Sequence, residues 1–104
     1  MPRPFIGLIS DTHGLLRPQA LEALRGSELI IHAGDIGKLE ILEALEEIAP
    51  VHAVRGNNDR DTWAEDIPER RIVTWRERRI LVLHDVNELK RNPEPRAVDA
   101  VISG

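Results

Sequence analysis

Three aliphatic runs, each halted by a polar turn that carries glycine, set what this chain can fold into. Phe5-Ile6-Gly7-Leu8-Ile9 runs into Ser10-Asp11-Thr12-His13-Gly14. Leu29-Ile30-Ile31-His32-Ala33 runs into Gly34-Asp35, and Val51-His52-Ala53-Val54 into Arg55-Gly56-Asn57-Asn58-Asp59. Near-continuous apolar runs of this length read as strands buried on both faces, the pattern of a parallel sheet. Two helical segments separate them. Pro18 to Gly26 has proline in its first turn, glycine just past its end, and Leu21 and Leu24 on one face. Lys38 to Ala49 places Leu39, Leu42, Leu45 and Ile48 at helical spacing among Glu40, Glu43, Glu46 and Glu47, and Pro50 stops it. The order βαβαβ implies parallel strands with right-handed crossovers.

The pattern then changes. Arg71 to Trp75 and Arg79 to Leu83 read as a hairpin with a tight turn near Glu77, and its second strand runs into His84-Asp85. A helix of two turns at most, over Val86 to Arg91, precedes Pro93 and Pro95, and Val98 to Ile102 reads as a last strand. With 104 residues and no internal repeat, the expectation is a single domain over 1–104.

Composition narrows the function classes. Hydrophobic residues at 41% and charged residues at 31% describe a globular chain, not a disordered one. Phe5, Trp63 and Trp75 are its only aromatics, so the core is aliphatic. The absence of cysteine removes thiolate nucleophiles, disulfides and cysteine-type zinc sites, and makes a cytoplasmic location the expectation. The apolar runs are too short to span a bilayer, and Met1-Pro2-Arg3-Pro4 does not begin a signal peptide, so no membrane partner is expected. A net charge of −4 argues against general nucleic-acid binding. Arg70, Arg71, Arg76, Arg78 and Arg79 read as exposed positions of a two-stranded ribbon, and Asp61, Glu65 and Asp66 as a solvated acidic loop.

Chemistry concentrates at the strand ends. Asp11 and His13 lie where the first strand gives way to its loop. On extended backbone, residues two apart project to the same side. A carboxylate and an imidazole together suit a divalent transition metal. Asp35, then Asn57 with Asn58 and Asp59, then His84 follow at later strand ends, and the carboxyl edge of a parallel sheet is where ligands bind. Three oxygen ligands and two imidazoles exceed what one ion draws from a small protein, and fit a two-metal site with one shared carboxylate. Each residue also has an ordinary reading: Asp11 and Asn57 as turn residues, Asp35 as a helix cap, His84 as a strand-end histidine bonded to backbone. His32 and His52, inside strands, read as satisfied structural histidines, with His32 also placed to orient a ligand from behind.

Asp11-Thr12-His13, Gly34-Asp35, Gly56-Asn57-Asn58-Asp59 and the lone His84 stand in the order and spacing of a known signature. The sequence resembles the calcineurin-like metallophosphoesterase superfamily, and most closely its small bacterial and archaeal phosphodiesterase branch. That resemblance implies an α/β fold, a two-sheet sandwich flanked by helices, here C-terminally shortened. It implies phosphoester hydrolysis by a metal-bound hydroxide acting on a small phosphoester. Two divalent ions are implied, manganese first, with nickel, iron, zinc and magnesium also compatible. Asp11 and His13 would hold the first ion, Asp35 would bridge, and Asn57 and His84 would hold the second. Asn58 and Asp59 would be the catalytic neighbours, Asp59 as an acid behind the ligands.

Three departures accompany the resemblance. The family's final Gly-His-x-His block is not among these residues, since Val101-Ile102-Ser103-Gly104 reaches only its opening glycine. Weaker metal binding and lowered activity are the expectation. Asn58 stands where many relatives carry a histidine, and an amide delivers no proton. Asp85 stands where relatives usually carry glycine. A second function class follows: a partner-binding protein on the same fold, as the retromer subunit of the superfamily illustrates. A homo-oligomer is compatible with either.

Overall fold

The computed structural model describes residues 4–91 and 98–104. Strands β1 (Ile6–Ile9), β2 (Leu29–His32) and β3 (Val51–Ala53) form a parallel sheet in that order, joined by helices α1 (Pro18–Leu24) and α2 (Leu39–Glu46). Strands β4 (Arg70–Trp75), β5 (Arg78–Leu83) and β6 (Ala100–Ser103) form a second sheet. In it β4 and β5 are antiparallel, and β5 and β6 parallel. Helix α3 (Glu88–Arg91) follows β5. The connection with Pro93 and Pro95 lies outside the described residues.

The aliphatic runs explain the layering. β2 is buried at every position. Ile30 packs with Leu24, Ile41, Leu42 and Leu45 from the two helices. Its neighbours Leu29 and Ile31 pack with Val73, Ile80 and Val82 of the second sheet. Alternate side chains of one strand thus feed two cores, which is why the run has no polar alternation. The layers are helices, parallel sheet, mixed sheet, as the two-sheet α/β expectation requires.

Some boundaries shift. The second helix is shorter than Lys38 to Ala49, and Leu39 at its start is 41% exposed. The last strand begins at Ala100, two residues later than expected. A 3₁₀ turn at Thr62–Ala64 sits inside the acidic loop. It buries Ala64 and brings Trp63 against the helical core, so this loop is anchored by apolar groups.

The hairpin turn consists of Arg76 and Glu77, with φ of 50° and 68°. Two-residue hairpin loops favour this left-handed pair, but normally with asparagine or glycine. Here side chains secure it. Arg76 donates through Nε and Nη2 to the Glu28 carboxylate at 2.9 Å each, and Trp75 Nε1 donates to the same group at 2.9 Å. The Arg76 guanidinium also lies 5.4 Å from the centre of the Trp75 ring. The basic cluster is therefore less exposed than the sequence suggests. Arg76 and Arg78 are exposed, while Arg70, Arg71 and Arg79 are half-buried. The buried Arg71 Nε has no hydrogen-bond partner among the described residues.

Candidate metal centre

The site forms where β1 and β2 end. The two chains stay hydrogen-bonded past their strands. Ala33 N–H donates to Ile9 O (2.9 Å), Asp11 N–H to Gly34 O (2.9 Å), His13 N–H to Asp35 O (3.0 Å) and Gly14 N–H to Ile36 O (2.8 Å). Along this ladder Asp11, His13 and Asp35 take left-handed conformations, with φ of 55°, 48° and 57°. Such residues are uncommon outside glycine and collect at functional sites. The extended-backbone expectation for Asp11 and His13 is thereby corrected. β1 stops at Ile9, and left-handed turns templated by the β2 loop converge the two side chains instead. His13 Nε2 lies 3.8 Å from Asp11 Oδ1 and 4.0 Å from Asp35 Oδ2.

Asp35 is the centre of the cluster and only 6% exposed. Its Oδ1 accepts the Asn58 backbone N–H (3.1 Å) and its Oδ2 accepts the Asn58 side-chain amide (3.2 Å). The 56–59 loop can approach this closely because residue 56 is glycine: a side chain there would overlap Asp35 Oδ1. His84 arrives from the second sheet. Its Nδ1 lies 2.8 Å from the Ala33 carbonyl, which only accepts, so Nδ1 carries the proton. Nε2 then faces the carboxylates, 3.3 Å from Asp35 Oδ2 and 4.0 Å from Asp11 Oδ1. Gly34 makes room for this ring, since a Cβ there would fall 2.7 Å from His84 Nδ1.

One donor atom each from Asp11, Asp35 and His84 lies within 4.8 Å of the others, a possible divalent-metal site. Two carboxylates and a correctly protonated imidazole, whose far nitrogen is fixed by a carbonyl, are the chemistry a divalent ion requires. His13 flanks the same carboxylates. Asn57 is exposed, and lines an adjoining cleft together with His84. Its carbonyl accepts from Arg60 Nε at 3.0 Å. The chemistry of Asp11, Asp35 and His84 fits a divalent ion of the kind the resemblance implies.

Asn58 and Asp59 have contacts that sequence spacing does not reveal. Asn58 is spent on orienting Asp35. Asp59 is 4% exposed and accepts three backbone amides: Ile36 N–H (3.0 Å) and Gly56 N–H (2.9 Å) at Oδ2, and Gly37 N–H (3.0 Å) at Oδ1. Burial alone would raise its pKa, but the donors from Gly56, Ile36 and Gly37 together hold it below the usual carboxylate range. It stays ionised and ties the Asp35 loop to the Asn57 loop.

His32 proves to be such a brace as well. It is fully buried, and Gly34 N–H donates to its Nδ1 (3.1 Å). Nε2 is then the protonated nitrogen and donates to Thr12 Oγ1 (3.0 Å), whose hydroxyl donates to Ile36 O (2.8 Å). The residue between Asp11 and His13 is thus fixed from beneath. The sequence signal was the Thr12 hydroxyl between two candidate ligands. Burial lowers the His32 pKa to about 4, against the partial opposition of Asp59 and Asp11. Below pH 6.5 the unfolded chain binds a proton at this histidine that the folded chain refuses. Stability is therefore full above pH 6.5 and falls as the pH drops toward 4. The expected loss between pH 7.5 and 4.5 is about 2–3 kcal/mol. Urea unfolding in chelator checks it: His32→Gln should flatten this pH dependence, and His52→Gln should leave most of it. An unchanged slope in His32→Gln would refute the assignment.

Comparison with known proteins agrees with this geometry. The family model described as the calcineurin-like phosphoesterase superfamily domain matches residues 5–104. The chain belongs to the calcineurin-like phosphoesterase superfamily. A probable metallophosphoesterase of Methanothermobacter thermautotrophicus is 37% identical over 111 residues, covering 95% of this chain. The chain spans 64% of that relative's length. Among solved structures, one described as a novel archaeal phosphodiesterase superposes with a TM-score of 0.72 at 26% identity, covering 95% of this chain and 71% of the other. Vacuolar protein sorting 29 of Cryptosporidium parvum gives 0.76 at 20% identity, covering 97% and 64%, a likeness of fold. As a member of this superfamily, the chain has a hydrolase fold with a possible Asp11, Asp35, His84 site for divalent metal. Among the described residues, no helix is long and apolar enough to cross a membrane.

Proposed function

We propose that this chain is a metal-dependent phosphodiesterase acting on small phosphoesters. The observation that carries it is the convergence of Asp11, Asp35 and His84 from three strand ends and both sheets. Asp11 and His13 would hold one divalent ion, Asn57 and His84 would hold a second, and Asp35 would be shared. Its position between His13 at 4.0 Å and His84 at 3.3 Å supports the shared role. Divalent ions so placed supply water activation and neutralise the phosphate oxygens. The protein's own groups orient and position. Asn58 fixes the Asp35 carboxylate, Asp59 and His32 fix the loops, and Ala33 O fixes the His84 tautomer. Asn58 has no proton to give a leaving group, so good leaving groups are favoured.

Hydrolysis of aryl phosphodiesters of graded leaving-group pKa, with Mn²⁺ and with chelator, tests this. The expected result is a rate that falls steeply as the leaving-group pKa rises, and that chelator abolishes. Chelator-insensitive hydrolysis overturns the proposal. Stoichiometric metal with no hydrolysis of any ester would put partner binding on this fold in its place.

A further inference from the structure

Beside the metal centre lies a cleft of about 360 Å³, lined by Arg55, Arg60, Glu69, Asp85 and Glu88 and reaching Asn57 and His84. Its lining is unusual. Small-molecule sites are lined mostly by apolar and aromatic side chains with a few polar groups. Among the described residues the lining consists of charged and polar side chains and one glycine, Gly56. Among the described residues the cleft offers no aliphatic or benzenoid side chain, and its one ring is the His84 imidazole at the metal end.

The polar groups are of both kinds. Among the described residues Arg60 donates only through Nε, to Asn57 O, and its two terminal amino groups have no partner there. Arg55 is held by Glu69 at 3.0 Å through Nη2. Carboxylates accept and guanidiniums donate. A second anionic group on a substrate would meet more carboxylates than guanidiniums. A fixed cation would leave the guanidinium donors without a partner. A hydroxyl both donates and accepts, so vicinal hydroxyls match this mixed lining.

Resting on the phosphodiesterase reading, we infer that this cleft holds the alcohol arm of the ester, and that it selects a neutral polyol arm such as glyceryl. The ester phosphorus lies at the Asp35–His84 end. The hydroxyls lie along Arg60 and Glu69.

Binding of monoesters tests the inference without requiring turnover. Calorimetry in saturating Mn²⁺ would compare glycerol 3-phosphate, n-propyl phosphate, phosphocholine and 3-phosphoglycerate. These arms are neutral polyol, apolar, cationic and anionic. Glycerol 3-phosphate should bind about tenfold more tightly than n-propyl phosphate, the effect of one or two net hydrogen bonds. Glu69→Ala should remove most of that preference while leaving n-propyl phosphate affinity within about twofold, and Arg60→Gln should lower it as well. Equal binding of the glyceryl and propyl esters overturns the inference. So does tighter binding of phosphocholine, which would make the cleft a cation site, or of 3-phosphoglycerate, which would make it an anion site. Failure of Mn²⁺ to bind, with the glyceryl preference intact, sinks the metal reading and leaves the cleft standing. Loss of both sinks both.

Discussion

Asp35→Asn is expected to lower Mn²⁺ affinity by more than about 100-fold and to take hydrolysis down with it. Even a group behind a ligand typically costs about 10–100-fold in affinity when lost, and Asp35 is the carboxylate around which the others gather. Asparagine is a cleaner replacement than alanine for a backbone reason. Position 35 has φ of 57°, a conformation that asparagine tolerates and alanine does not. Asparagine also keeps an oxygen for the Asn58 N–H. The variant thus removes charge with little disturbance of shape. Asp35→Ala should lose the metal too, with an added penalty to folding. Elemental analysis after dialysis, read with unfolding curves for both variants, separates the two effects. Metal content unchanged in Asp35→Asn would refute the shared-carboxylate role.

Asp59→Ala should be among the most destabilising single substitutions in the chain, at about 3–5 kcal/mol. The mutation leaves the amides of Ile36, Gly37 and Gly56 without their carboxylate, the first in a buried place and the other two in partly buried ones. An orphaned buried donor costs about 1–3 kcal/mol, and three share this carboxylate. Against a total stability of about 5–15 kcal/mol for a domain, the loss is large. Asp59→Asn should be intermediate, because one amide oxygen cannot serve both carboxylate positions. Urea midpoints measure it. A loss below about 1 kcal/mol in Asp59→Ala would show that solvent or a rearranged loop replaces the carboxylate.

The elements that periodicity governs were legible before any coordinates. Leu29-Ile30-Ile31 announces a strand buried on both faces, and Leu42 with Leu45 announces the helix that covers one of them. Asp11, His13, Asp35, Asn57 and His84 were legible as strand-end groups, and the structure brings Asp11, His13, Asp35 and His84 together. What periodicity does not encode is hydrogen bonding across distant loops. The Ile36 and Gly37 amides on Asp59, the double contact of Asn58 with Asp35 and the His32–Thr12 brace all join segments far apart in sequence. The left-handed Asp11 and His13 escaped for the same reason: their conformation is imposed by pairing with the β2 loop, and a single strand viewed alone gives no sign of it. Asp61, Glu65 and Asp66 read as a solvated loop, yet Trp63 among them packs against the helical core: an isolated aromatic in a polar loop is a plug for the core nearby.

The Glu28 contact with Trp75 and Arg76 has a mechanical consequence. Glu28 precedes β2, while Asp35 follows it, and the hairpin tip precedes β5, while His84 follows it. Strand polarity therefore places the Glu28 clasp and the metal ligands at opposite ends of the sandwich, roughly 20 Å apart along a six-residue strand. The clasp ties the hairpin tip to the start of β2 with no ion involved. At the other end Asp35 belongs to one sheet and His84 to the other, so an ion held between them is a removable staple. Chelation should leave the clasp unchanged and loosen the sheets at the other end, where the His84–Ala33 hydrogen bond remains, so that amide exchange quickens first around residues 33–36 and 83–85 and last beside Glu28.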